Sequence, residues 1–124
     1  MGYQSFKDLR VWQEAKILAV EVYAITAKGG LAKDYGLKDQ MQRSAVSIAS
    51  NIAEGYERNS DKEFIRFLMI AKGSIAELRT QLDIAREIGF VTQNDYDAAD
   101  NKCNMIGAMI TKLIKARKGE AERR

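Results

Sequence analysis

Apolar residues recur at helical spacing along almost the whole chain, and their stripes divide it into four predicted helices. The first covers residues 6–28: Val11, Ala15, Leu18, Val22 and Ile25 recur at steps of four and three, with Leu9, Trp12, Ala19 and Tyr23 forming a second stripe beside them. Ser5 reads as its N-cap and Gly29-Gly30 as its stop. A loop through Tyr35 leads to a second helix over 37–56, with Met41, Ala45, Ile48 and Ile52 on its core edge and Val46, Ala49 and Ala53 flanking them. A short turn, Gly55 to Asn59, precedes a third helix over 61–88. Ser60 and Glu63 form a capping box at its start, each able to satisfy the other's backbone N–H. Phe64, Phe67, Leu68, Ala71, Ile75, Leu78, Leu82 and Ala85 then hold a heptad seam, and Gly89 ends the helix. The fourth helix, over 93–118, carries Tyr96, Ala99, Cys103, Ile106, Ile110 and Leu113 on one edge. Helices of this length on mostly short connections predict a single domain over 1–124: all-α, an antiparallel up-down-up-down four-helix bundle.

Composition supports long helices and narrows the chemistry. Of 124 residues, 46% are hydrophobic and 30% charged, and none is proline, so no ring breaks a helix. The lone Cys103 cannot form an intramolecular disulfide, and no basic-then-apolar leader segment is present. No apolar run approaches the roughly 18 to 20 residues that cross a bilayer. A cytoplasmic protein without membrane contact is expected. The absence of histidine removes the commonest general base and the commonest zinc ligand, and a Glu-x-x-His metal bundle cannot be built. One cysteine makes no structural zinc site, and no phosphate-binding loop, dinucleotide fingerprint or nucleophile elbow occurs. The expectation is no enzyme, no cofactor and no metal. The remaining catalytic possibility, a carboxylate pair of Glu54 and Glu77, needs both to face one cavity.

The net charge of +3 is unevenly placed. Residues 112–124 hold Lys112, Lys115, Arg117, Lys118, Arg123 and Arg124 against Glu120 and Glu122, a local +4, so the chain before Lys112 carries −1. This basic tail reads either as a frayed, solvated helix end or as an arm that contacts nucleic acid. Lys72, Arg79 and Arg86 lie seven apart on the third helix, interspersed with Asp83 and Glu87; they read as solvated ion pairs or as a stripe that tracks phosphates. Trp12 on its apolar stripe reads as core, whereas Tyr3 and Phe6 are open to a partner.

The second helix is unusual on its back. Gln40, Ser44, Ser47, Asn51 and Glu54 make a near-straight row, with Arg43 and Ser50 alongside. A solvated face favours Lys, Glu and Arg, since Ser and Asn cost several tenths of a kcal/mol each in a helix. Small hydroxyl residues allow close helix approach and the others supply directional bonds, so the row predicts a polar seam within the chain, between copies, or with a partner. On the third helix Gly73-Ser74 predicts a second close approach, and Ile70, Ser74, Glu77, Gln81, Ile84 and Ile88 form a mixed stripe suited to another subunit.

The run from Gln40 to Gly55, with Arg43, Ser47, Asn51-Ile52-Ala53-Glu54-Gly55 within it, resembles the signature of the four-helix-bundle family known as 23S rRNA intervening-sequence proteins. Phe6 to Ala15, Tyr35-Gly36-Leu37 and Ala71 to Leu78 extend the resemblance over about residues 3–115. It implies a left-handed bundle assembled into a ring, typically a homopentamer, ribosomal-protein-like and often encoded within bacterial 23S rRNA genes. Other members are similar to the accessory variability determinant of diversity-generating retroelements, which binds a reverse transcriptase and nucleic acid. The family's polar positions fall on Arg43, Ser47, Asn51, Glu54, Gly55, Gly73, Ser74 and Glu77, and Gly29-Gly30-Leu31 stands where a proline is common. The resulting expectation is a non-catalytic, self-associating scaffold that binds RNA or DNA electrostatically. The alternative is a protein-binding adaptor such as a reverse-transcriptase accessory factor.

Overall fold

Three of the α-helix starts in this chain follow side chains that take up the N–H groups a first turn leaves free. In the computed structural model, which describes residues 5–123, Asp34 Oδ1 accepts from the Leu37 N–H at 3.0 Å, Ser60 Oγ from the Glu63 N–H at 3.2 Å and Thr92 Oγ1 from the Asp95 N–H at 3.1 Å. These caps open α2 (Tyr35–Glu57), α3 (Asp61–Glu87) and α4 (Gln93–Glu122); α1 is Arg10–Thr26. Two short 3-10 turns, Phe6–Asp8 and Gly29–Lys33, complete the described residues, and no strand occurs among them.

Several boundaries differ from expectation. Ser5 caps only the first 3-10 turn; extended Leu9 then interrupts the chain and drops its side chain, 5% exposed, into the core before α1 begins. The chain leaves α1 at Thr26, and Gly29-Gly30 opens a 3-10 turn rather than a plain loop. Gly29 has φ +63°, and a Cβ on Gly30 would collide with the Phe90 ring. The α2 helix continues through Gly55, so that glycine is a buried helical residue and not the start of a turn. The capping box is half formed: the Glu63 carboxylate turns outward to accept from Arg66 at 3.1 and 3.2 Å, which holds its pKa below the usual value. The α4 helix runs to Glu122, four residues past the predicted end at Lys118, and carries Lys112, Lys115, Arg117 and Lys118. Tyr3 and Arg124 lie outside the described residues.

The predicted stripes meet in one core. All eight seam residues of α3 are buried, as are Val11, Ala15, Leu18, Val22 and Ile25 of α1 and Met41, Ala45, Ile48 and Ile52 of α2. Val46, assigned to the apolar flank, is instead 42% exposed, and Tyr23 is 50% exposed. Phe6 meets the Trp12 ring edge-on at 5.2 Å, and both pack against the core.

Each helix packs against two others: α1 and α3 both contact α2 and α4. Cross-links fix the register. Ser47 faces Ser74 between α2 and α3, Asp61 meets Arg117 and Arg79 meets Asp100 between α3 and α4, and Glu14–Lys102 (3.0 Å) and Lys28–Asp95 (2.9 Å) tie α1 to α4. Among the described residues no helix is long and apolar enough to cross a membrane.

Cys103 lies fully inside, and burial pushes its thiol up to about 12 from an ordinary value near 9. A thiol favoured in its neutral form by folding contributes its full share below about pH 9 and loses it as pH rises toward 12, at about 1.4 kcal/mol per pH unit at most. Urea midpoints of wild type should therefore fall more steeply than those of Cys103→Ala between pH 9 and 10.5. Parallel slopes would show that the thiol ionises freely in the native state.

Candidate functional site

Polar residues on the back of α2 form two layers. The inner layer is a hydrogen-bonded seam with α3: Ser47 Oγ and Ser74 Oγ are 2.9 Å apart, and Asn51 Nδ2 donates to Ser47 Oγ at 2.9 Å and to the Ser47 carbonyl at 2.8 Å. Ser74 Oγ also lies 3.4 Å from the Ile70 carbonyl. Ser44 and Ser74 are 7% and 4% exposed, so small hydroxyls occupy positions where larger side chains would wedge the helices apart. Of the predicted row, Ser47 and Asn51 take part in this seam and Ser44 is buried, whereas no bond from Gln40 or Glu54 to α3 is found among the described residues.

The outer layer is open. Gln40, Arg43, Ser44, Ser47, Glu77 and Gln81 line a shallow groove of about 300 Å³ along the α2–α3 junction. Ser44 and Ser47 form its floor, and the longer residues stand on its rims. No hydrogen-bond or ionic partner for the side chains of Gln40, Arg43 or Glu77 is found among the described residues. Gln81 Oε1 is buried without a donor, a situation that costs about 1–3 kcal/mol. A second hollow, of about 490 Å³, shares Arg43 and Ser47 and adds Tyr23 and Val46. Ile84 on α3 and Ile88 at its C-cap, 48% and 51% exposed, lie beyond the groove, and Ile70 is 42% exposed.

Two predicted residues stand apart. Glu54 is exposed and accepts from Arg58 at 3.0 Å. Gly73 makes no close approach: a Cβ there would meet nothing within 4 Å, and the tight contact belongs to its neighbour Ser74. The carboxylate pair is not assembled within the chain. With Ser47 opposite Ser74 and Gly55 against Phe64 and Phe67, Glu54 and Glu77 lie about ten residues apart along the helices, roughly 15 Å at 1.5 Å per residue.

Gly55 has a role that residue type alone did not disclose. A Cβ there would sit 2.6 Å from Phe67 Cβ and 3.2 Å from the Phe64 ring, so its hydrogen lets α2 and α3 close. The signal was available: Gly55 continues the Ile48, Ile52 stripe. Also missed were the bond from Gln42 Nε2 to buried Thr26 Oγ1, at 3.0 Å, and the α1–α4 ion pairs.

The basic candidates divide. Arg79 grips Asp100 at 2.8 and 3.4 Å, Arg86 bonds Asp83 and covers the Tyr96 ring, and Lys72 donates to Thr111. Arg117 donates to the buried Asp61 carboxylate at 3.1 Å and lies over Phe64. Lys112, Lys115 and Lys118 are exposed, with no ionic partner among the described residues. Among the described residues no His, Cys, Asp and Glu side chains are grouped to hold a metal ion.

Four helices around one core, joined by a hydroxyl- and amide-bonded seam that opens on an uncovered groove, define a small all-α protein with a polar interhelical face. The chain belongs to the 23S rRNA-intervening sequence protein family, whose pattern matches residues 7–112. It is similar, at 25% identity and a TM-score of 0.77, to a protein of unknown function from the S23 ribosomal protein family of Bacteroides thetaiotaomicron; the match covers 85% of this chain and 98% of that one. No curated protein matches the chain. The matched span contains the whole α2–α3 seam and groove, whereas Lys115, Arg117 and Lys118 lie beyond it.

Proposed function

We propose that this chain is a non-catalytic scaffold that assembles with copies of itself and binds RNA through repeated basic side chains. The observation that carries the assembly half is the outer groove on α2 and α3. Arg43, Glu77 and Gln40 are unpartnered there among the described residues, Gln81 Oε1 lacks a donor, and exposed Val46, Ile84 and Ile88 flank them. A second copy seated on this face would supply donors for Glu77 and Gln81 Oε1 and an acceptor for Arg43, and would cover the apolar flank. The cross-links between helices, which pair rising with falling residue numbers, support an up-down-up-down bundle, left-handed as in the family. A ring of five such bundles, in the cytoplasm, is the assembly we infer.

The RNA half rests on Lys112, Lys115 and Lys118, exposed on ordered helix, and on the family's association with 23S rRNA intervening sequences. Repeated around a ring, a modest charge per chain gives many phosphate contacts and steep salt dependence. Light scattering should give about five times the 13.9 kDa chain mass. Labelled structured RNA should bind at roughly 50 mM salt and weaken markedly by 200 mM. A monomer at micromolar concentration contradicts the assembly, and salt-independent or absent RNA binding contradicts the electrostatic mode.

A second reading, an adaptor for a protein such as a reverse transcriptase, is favoured by the exposed Ile84 and Ile88 beside the groove. Fixed-stoichiometry recovery of one protein that survives nuclease would favour it over RNA.

A further inference from the structure

The start of α1 and the last turns of α4 flank a different groove, of about 390 Å³, away from the α2–α3 junction. Leu9, Val11, Met109, Leu113 and Ala116 give it aliphatic and thioether walls. Its charged lining residues are Arg10, Lys112 and Arg117, all cationic, with no acidic residue among the described residues that line it. Arg117 is already neutralised by Asp61 at 3.1 Å and stacked on Phe64. Arg10 and Lys112 are exposed and have no acidic partner among the described residues. An apolar trough is thus bordered by two uncompensated positive charges.

This chemistry selects between macromolecular partners. Phosphate binding alone needs only cations, and single-stranded RNA adds aromatic faces for its bases; this trough is instead walled by aliphatic and thioether side chains, with no ring among its described lining residues. A helix laid into a groove needs Leu- and Met-type walls for its apolar stripe and opposite charge at the rim. We propose that the α1–α4 groove docks an acidic amphipathic helix of another protein, apolar on one face and flanked by Glu or Asp. The apolar stripe would lie between Leu9 and Leu113, with its acids over Arg10 and Lys112. The proposal does not rest on RNA binding, although Lys112 borders both surfaces.

The test uses the full chain and a fluorescein-labelled model peptide of about four helical turns, with Leu at heptad a and d positions and Glu on the flanks. Saturable binding is expected, weakened about tenfold by Arg10→Glu and by Lys112→Glu in variants with unchanged thermal melts, and weakened by salt. Lys118→Glu, outside the groove, should leave peptide affinity within about twofold while reducing RNA affinity, which separates the two surfaces. Equal binding of a control peptide with every Leu replaced by Ser would reduce the effect to bulk charge and overturn the proposal. So would unchanged affinity in both charge-reversal variants. A tenfold gain on deleting residues 1–4 would also overturn it, by making the chain's own first residues the occupant.

Discussion

Phe64→Ala is expected to lower stability by about 3–5 kcal/mol, enough to reduce the melting temperature by roughly 10–20 °C in a domain of this size. The ring is 1% exposed and sits where three elements meet. Tyr56 presents its edge at 5.9 Å, Gly55 closes in from α2, and the Arg117 guanidinium covers the ring at 4.8 Å. Truncation therefore opens a cavity and also loosens the arginine that neutralises buried Asp61. Phe64→Leu keeps most of the volume and should cost much less, about 1–1.5 kcal/mol. Guanidinium denaturation of both variants measures the difference; a loss below about 1 kcal/mol for the alanine variant would show that the ring does not anchor this end.

Gly55→Ala and Gly73→Ala should move stability in opposite directions. Both sites are helical, so alanine gains up to about 1 kcal/mol of intrinsic propensity at each. At Gly73 nothing opposes that gain, because the added methyl meets no atom within 4 Å. At Gly55 the nearest atom is Phe67 Cβ, at 2.6 Å, and a Cβ is fixed to its backbone. Relief requires α2 and α3 to separate or twist, and overpacking of this kind costs about 1–3 kcal/mol net. Thermal melts that rise for Gly73→Ala and fall for Gly55→Ala would agree; the reverse order would mean that the helices are not held at this distance. In an assembled sample, a loss of mass in Gly73→Ala would place that exposed glycine against a neighbouring copy.

Helix identity and core were legible because burial and periodicity coincide along this chain. Every predicted α3 seam residue is buried, since a long proline-free helix has no freedom to rotate one part of its stripe relative to another. Boundaries were less legible where tertiary packing overrode local signals. Ser5 is a good cap, yet Leu9 leaves the helical path because its side chain is drawn into the core. Of the candidate site, the Ser47–Asn51–Ser74 seam was readable from poor helix formers placed in a row. The choice between Gly55 and Gly73 rested on a fainter sign, the place of Gly55 on the Ile48, Ile52 stripe; the residue it closes on, Phe67, lies on another helix, and spacing alone does not name it. The partners of Arg79 and Arg117 were hidden for a similar reason: Asp100 and Asp61 lie on other helices, and sequence spacing reports only neighbours on the same one.

The Ser47–Ser74 contact joins two groups that can each give or receive a proton. When Ser47 donates inward, Ser74 is left to point its own proton at the Ile70 carbonyl, and the floor of the α2–α3 groove shows acceptor lone pairs. When Ser74 donates instead, the Ser47 proton is released toward the groove while Asn51 continues to hold the oxygen in place. Two hydroxyl rotations, with no heavy atom displaced, thus exchange one hydrogen-bonding polarity for the other. One rigid surface can in this way show either a donor or an acceptor at the same point without refolding.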